Sequence, residues 1–175
     1  MKTSVALIGF MGTGKTVVGK ELSRKLGRRF IETDDLIEQK AGKSIPEIFK
    51  QDGEIAFREL EIEVTKAVAG TKKVIIACGG GLVLNKINID RLREECIIVY
   101  LTASVGVILK RTSNDGGRRP LLSVANRLQQ IRELSRFRQP YYRWAADMII
   151  NTSRLGIKTV VQRIEEELKD NESFR

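Results

Sequence analysis

Histidine is absent from all 175 residues, so any general base here is a carboxylate, a lysine or water, and no metal site can use imidazole. Cysteine is scarce. Cys78 and Cys96 each sit in or beside an apolar strand-like run, which suits buried free thiols rather than a disulfide framework. A reducing, cytoplasmic setting is the expectation. No apolar run approaches the roughly 20 residues of a membrane span, and Met1-Lys2-Thr3-Ser4 leads into the first apolar run without a signal-peptide pattern. Neither export nor membrane association is expected. Internal repeats and low-complexity tracts are also missing.

The length suits one domain over residues 1–175, long enough to bury roughly two-thirds of its unfolded surface. Thirty-one basic against twenty-two acidic residues give a net charge of +9, which favours nucleotides, anionic metabolites or nucleic acid as partners. Charge alone does not choose among them, and a solvated surface explains it equally well.

Apolar, β-branched runs at Val5 to Ile8, Val74 to Ala77, Ile97 to Leu101 and Met148 to Ile150, with a shorter one at Phe30-Ile31, alternate with helical patterns. Phe57, Leu60, Val64 and Val68 form one stripe; Ile157, Val160, Val161, Ile164 and Leu168 form another. This alternation predicts a three-layer α/β/α fold around a five-stranded parallel sheet. Ser44-Ile45-Pro46-Glu47 reads as a capping box with proline in the first turn, so a helix should begin near Ile45. The polar segment Asp170 to Arg175 is expected to fray.

The chemistry is concentrated in Gly9-Phe10-Met11-Gly12-Thr13-Gly14-Lys15-Thr16. A strand empties into a glycine-rich turn, and Val18, Leu22 and Leu26 follow at helical spacing, as in a Walker A loop. Its amides converge on phosphate oxygens at the positive end of the next helix, with Lys15 reaching the β- and γ-phosphates and Thr16 the Mg²⁺ ion. The plain alternative is a glycine-rich hairpin. That loop serves many reactions. A GTPase calls for Asn-Lys-x-Asp, whereas Asn85-Lys86-Ile87-Asn88 lacks the acid. A Walker B acid is missing after Val74 to Ala77 and after Ile97 to Leu101. Carboxylates appear instead at Glu32-Thr33-Asp34-Asp35, where an open α/β sheet places ligand groups; Asp34 or Asp35 is equally suited to cap a helix. Gly79-Gly80-Gly81 allows close backbone approach to a ligand or simply makes a turn. The polar, basic stretch from Thr112 to Arg119 reads as a loop suited to a lid.

Walker A, the acids near Asp34, Arg58, the triple glycine and Arg119-Pro120-Leu121-Leu122 together resemble the shikimate kinases over nearly the whole chain. The resemblance implies a P-loop fold of nucleoside monophosphate kinase type with a mobile lid at about residues 112–123 and an acceptor-binding region at about 33–61. It implies transfer of the γ-phosphoryl of ATP to the 3-hydroxyl of shikimate, a step of aromatic amino acid biosynthesis. On that resemblance Gly12, Thr13, Gly14, Lys15, Thr16 and Val17 hold ATP. Arg111 and Arg154 sandwich adenine, and Arg119 contacts both substrates. Asp34 holds and activates the acceptor hydroxyl, and Gly79, Gly80 and Gly81 offer it amides. Arg58 and Arg138 grip its carboxylate; read alone, Arg58 is an i,i+4 partner of Glu54 and Arg138 part of a solvated helix face. Thr16 and Glu32, the latter through water, hold Mg²⁺. The partners implied are shikimate and ATP, without nucleic acid or membrane, and the chain is expected to be a monomer. One departure stands out: Glu32 occupies a position usually held by aspartate. The rival readings are another small-molecule kinase, such as gluconate kinase, and a P-loop ATPase that binds nucleic acid.

Overall fold

The computed structural model describes residues 1–113 and 126–175. The five apolar runs become parallel strands β1 (Ser4–Ile8), β2 (Arg29–Glu32), β3 (Val74–Ala77), β4 (Cys96–Thr102) and β5 (Met148–Asn151), in the order β2-β3-β1-β4-β5. Every residue of β1 and β3 is buried, because helices cover both faces of a parallel sheet.

Alternation along the strands feeds two cores. Val5, Leu7, Ile75 and Val99 pack with α1 (Lys15–Leu26) and α8 (Ile157–Asp170). Ala6, Ile8, Ile76 and Ile98 pack with α4 (Gly53–Ala69), α5 (Lys86–Glu95), α6 (Val105–Thr112) and α7 (Arg127–Ala145). A third cluster of Ile37, Ile48, Phe57 and Val64 joins α2 (Thr33–Ala41) and α3 (Ile45–Gln51) to α4. Each fully buried Ile or Leu contributes about 1.5–3 kcal/mol. Cys78 and Cys96 are buried free thiols, as expected.

The predicted capping box is present: Glu47 N–H donates to Ser44 Oγ and Ser44 N–H to Glu47 Oε2 at 2.8 Å. Three expectations change. Helix α2 is preceded by Glu32, without a side-chain cap, so Asp34 and Asp35 occupy its first turn instead of capping it. Thr112, the expected start of the lid, is the buried last residue of α6, its hydroxyl donating 2.8 Å to the Ile108 carbonyl; residues 114–123 of that lid lie outside the described residues. The terminal segment is tied down rather than frayed. Lys2 N–H donates to Ser173 O at 2.7 Å, Arg175 N–H to Lys2 O at 2.9 Å, and Arg28 stacks 4.4 Å over the Phe174 ring. One aromatic in a polar run supplies an anchor that average composition hides. Among the described residues no helix is long and apolar enough to cross a membrane.

The turns after β1, β2 and β3 all emerge at the carboxyl edge of the sheet, where ligands of open α/β folds bind. They bring Lys15, Asp34 and Gly79–Gly81 together.

Candidate active site

A cavity of about 390 Å³ runs along this edge. Gly12, Gly14, Lys15, Thr16, Val17, Glu32, Asp34, Arg58, Gly79, Gly80, Gly81, Arg111 and Arg138 all line it. These residues come from six separate stretches of sequence.

At one end lies the glycine-rich loop. Gly12 and Gly14 adopt φ of 75° and 99°, conformations that other residues resist. Side chains occupy the loop's carbonyls. Lys15 Nζ donates 2.9 Å to both Gly9 O and Phe10 O, Thr13 Oγ1 2.8 Å to Phe10 O, Arg111 3.1 Å to Gly12 O and Thr152 Oγ1 2.9 Å to Thr13 O. Arg111 also donates 3.0 Å to Thr152 O, so α6 and the turn after β5 brace the loop. The turn is thereby fixed at the positive end of α1. Thr16 Oγ1 donates 2.5 Å to Glu32 Oε1 at the end of β2. Both are hard oxygen donors, which fit a magnesium ion that also takes phosphate and water oxygens.

The other end is made of charged side chains around the triple glycine. Asp34 projects from the first turn of α2; burial pushes its carboxyl above the usual range against the pull of Lys15, and Oδ1 has no hydrogen-bond partner among the described residues. Arg58 on α4 lies 3.0 Å from Glu61 Oε2 and 3.1 Å from Glu54 Oε1. The expected Glu54 pair therefore exists alongside a second, buried one. Arg138 on α7 is only 3% exposed, which overturns the solvated-face reading. Among the described residues it has no carboxylate within ion-pairing distance, and its Nε is unpartnered. Phe49 and Phe57, with ring centroids 4.8 Å apart, form an apolar wall.

Space explains the glycines. A Cβ at Gly81 would lie 2.2 Å from Arg58 Nη1, and one at Gly79 2.7 Å from Asp34 Oδ1. The Gly79 amide donates 2.9 Å to Thr33 Oγ1, so it is already engaged and does not offer its N–H to a ligand as expected. The Gly80 carbonyl accepts from Tyr142 Oη.

Two expected residues stand apart. Arg154 is exposed and does not line the cavity, and Arg119 lies outside the described residues. Sequence reasoning missed Glu61, whose only cue was its i+3 spacing from Arg58. It is 1% exposed, and burial pushes its carboxyl up to about 7 against the pull of Arg58. Thr152 and Tyr142 were missed as well, since their roles depend on long-range contacts. Cys78 borders the cavity, but burial raises its thiol far above neutrality, leaving no thiolate nucleophile.

The family model described as shikimate kinase matches residues 11–169. The shikimate kinase of Thermodesulfovibrio yellowstonii is 44% identical over 164 residues, covering 92% of either chain. Among solved structures, shikimate kinase from Acinetobacter baumannii in complex with shikimate superposes with a TM-score of 0.94 at 37% identity, covering 98% of this chain and 96% of that one. The Aquifex aeolicus shikimate kinase superposes with a TM-score of 0.84 at 34% identity, covering 97% and 98%.

Proposed function

This chain belongs to the shikimate kinase family, and we propose that it carries out the ATP-dependent phosphorylation of shikimate with the acceptor carboxylate between Arg58 and Arg138 and the 3-hydroxyl at Asp34. One observation carries this placement: Arg138 is a buried guanidinium without an acidic partner among the described residues. A buried cation is costly unless it is paired, so an anion from outside completes the site. Two planar guanidinium groups beside the triple glycine suit a carboxylate, which each can hold by parallel charge-assisted hydrogen bonds.

The γ-phosphoryl passes in line from ADP oxygen to the acceptor hydroxyl, whose proton leaves to Asp34. Burial makes that carboxylate a better base than a free one, while nearby Lys15 keeps the charged form accessible. Lys15 swings from the Gly9 and Phe10 carbonyls to the phosphates. Positioning matters more than proton removal, since the transition state is loose. Thr16 and Glu32 would hold Mg²⁺, which when bound neutralises phosphate charge. Arg111, Arg154 and Arg119 keep the nucleotide roles implied by resemblance. The buried free thiols support a cytoplasmic setting.

The test is ADP release with Mg²⁺ and ATP in the presence of shikimate, gluconate, nucleoside monophosphates, nucleic acid or no acceptor. Stimulation by shikimate alone, lost in Lys15→Ala and Asp34→Ala, is the expected result. Equal stimulation by gluconate, or by nucleic acid without an acceptor, would overturn the placement.

A further inference from the structure

Glu61 is a buried carboxyl that phosphoryl transfer does not use. Its Oε2 accepts from Arg58 at 3.0 Å, whereas Oε1 is buried with no hydrogen-bond partner among the described residues. A Cβ at Gly79 would lie 3.1 Å from that Oε1 and 2.7 Å from Asp34 Oδ1, so two unpartnered carboxyl oxygens converge on one small space. Other groups face Glu61 from several elements. Arg138 and Tyr142 approach from α7, Cys78 from the end of β3 and Asp34 from α2. On α5, Arg91 is engaged by the Ile62 carbonyl, and α3 turns apolar Ile48 towards α4.

The ionised form of Glu61 therefore depends on two cations, Arg58 in contact and Arg138 farther off. Both are the groups placed on the substrate carboxylate above. We propose that Glu61 takes up a proton as that carboxylate docks between Arg58 and Arg138, making acceptor binding and protonation one linked event.

The physical reasons act in the same direction. Docking compensates the two positive charges that favour ionised Glu61, adds a negative charge nearby and displaces water from the cavity. The proton has a place to go. Carried on Oε1, it supplies a donor where two acceptors now converge, and Oε2 continues to accept from Arg58. The free carboxyl sits at about 7, so a rise of about one unit on docking gives uptake of about half a proton at pH 7.5. By linkage, shikimate then binds nearly tenfold more weakly at pH 9 than at pH 6.

This inference rests on the acceptor placement proposed above, and calorimetry separates the two. Shikimate binding to the full chain is measured without nucleotide at pH 7.5 in buffers of differing ionisation enthalpy, for the wild type and Glu61→Gln. The expected result is binding with about half a proton taken up, and uptake lost in Glu61→Gln while binding persists. Binding without uptake in the wild type overturns the linkage alone. Undiminished uptake in Glu61→Gln overturns its assignment to Glu61. Absence of binding at any pH sinks the acceptor placement and the linkage with it. Should Glu61→Gln not fold, the Glu61 carboxyl ¹³C resonance of the wild type decides: its titration moves upward with shikimate if the inference holds and stays in place if it does not.

Discussion

The two ends of the cavity are built on different principles. The nucleotide end is backbone: eight consecutive residues, Gly9 to Thr16, whose carbonyls are held by Lys15, Thr13, Arg111 and Thr152. The acceptor end is side chain: Asp34, Arg58, Glu61 and Arg138 from three helices, charged, buried or half-buried and only partly paired before a ligand arrives. A backbone site is rigid and general for phosphate, whereas a side-chain site is specific and sensitive to protonation. Recognition of one particular acceptor belongs to the second end.

The largest expected effect lies at the first. Lys15→Met should lower turnover by about 10³-fold or more with any acceptor, since it removes charge from the transferring phosphoryl; steady-state ADP release measures it, and a loss below tenfold would break the division. Next comes Arg138→Met, expected to cut kcat/KM for shikimate by about 10²–10³-fold. Because it deletes a buried cation that no carboxylate among the described residues contacts directly, thermal stability should hold or rise. A drop of several degrees in Tm would instead make Arg138 a structural residue.

A smaller effect is expected from Gly81→Ala. Its φ of −96° tolerates a side chain, but the added Cβ meets Arg58. Shikimate KM should rise about tenfold with kcat nearly kept, equivalent to about 1.4 kcal/mol of uniform binding. Equal loss with every acceptor would place the glycine outside recognition. Stability offers a pH signature of the same end. Glu61 titrates near 4.5 when unfolded and near 7 when folded, so the folded chain holds the extra proton between those values. Stability from this group is therefore lost as pH rises through that window, and denaturant titrations of Glu61→Gln should show a flatter decline. The smallest effect is at Glu32→Asp, which shortens the reach to Thr16 and should keep at least wild-type turnover; a large fall at limiting Mg²⁺ would show a site adapted to glutamate.

Legibility in the sequence followed the same division. The strands, the capping box at Ser44 and the Walker loop were readable because each is a local pattern with a local cause. Resemblance named Arg58 and Arg138, but nothing local distinguished buried Arg138 from Arg136 or Arg143 on the same helix. Glu61 looked like one acid among several on a charged helix; its burial follows from α4 packing on the turn after β3, a contact between distant segments. The Phe174 anchor was hidden in the same way, being a single aromatic in a polar tail. Periodicity reports which face of a helix is apolar, not which charge has been turned inward.

The most direct measurement is a pair of binding isotherms, shikimate and a non-hydrolysable ATP analogue, each titrated separately into wild type and Arg138→Met. The division of the cavity predicts that shikimate affinity falls about 100-fold or more while nucleotide affinity stays within about twofold. If both affinities fall together, or if shikimate binding is unchanged, the buried arginine does not mark an acceptor site.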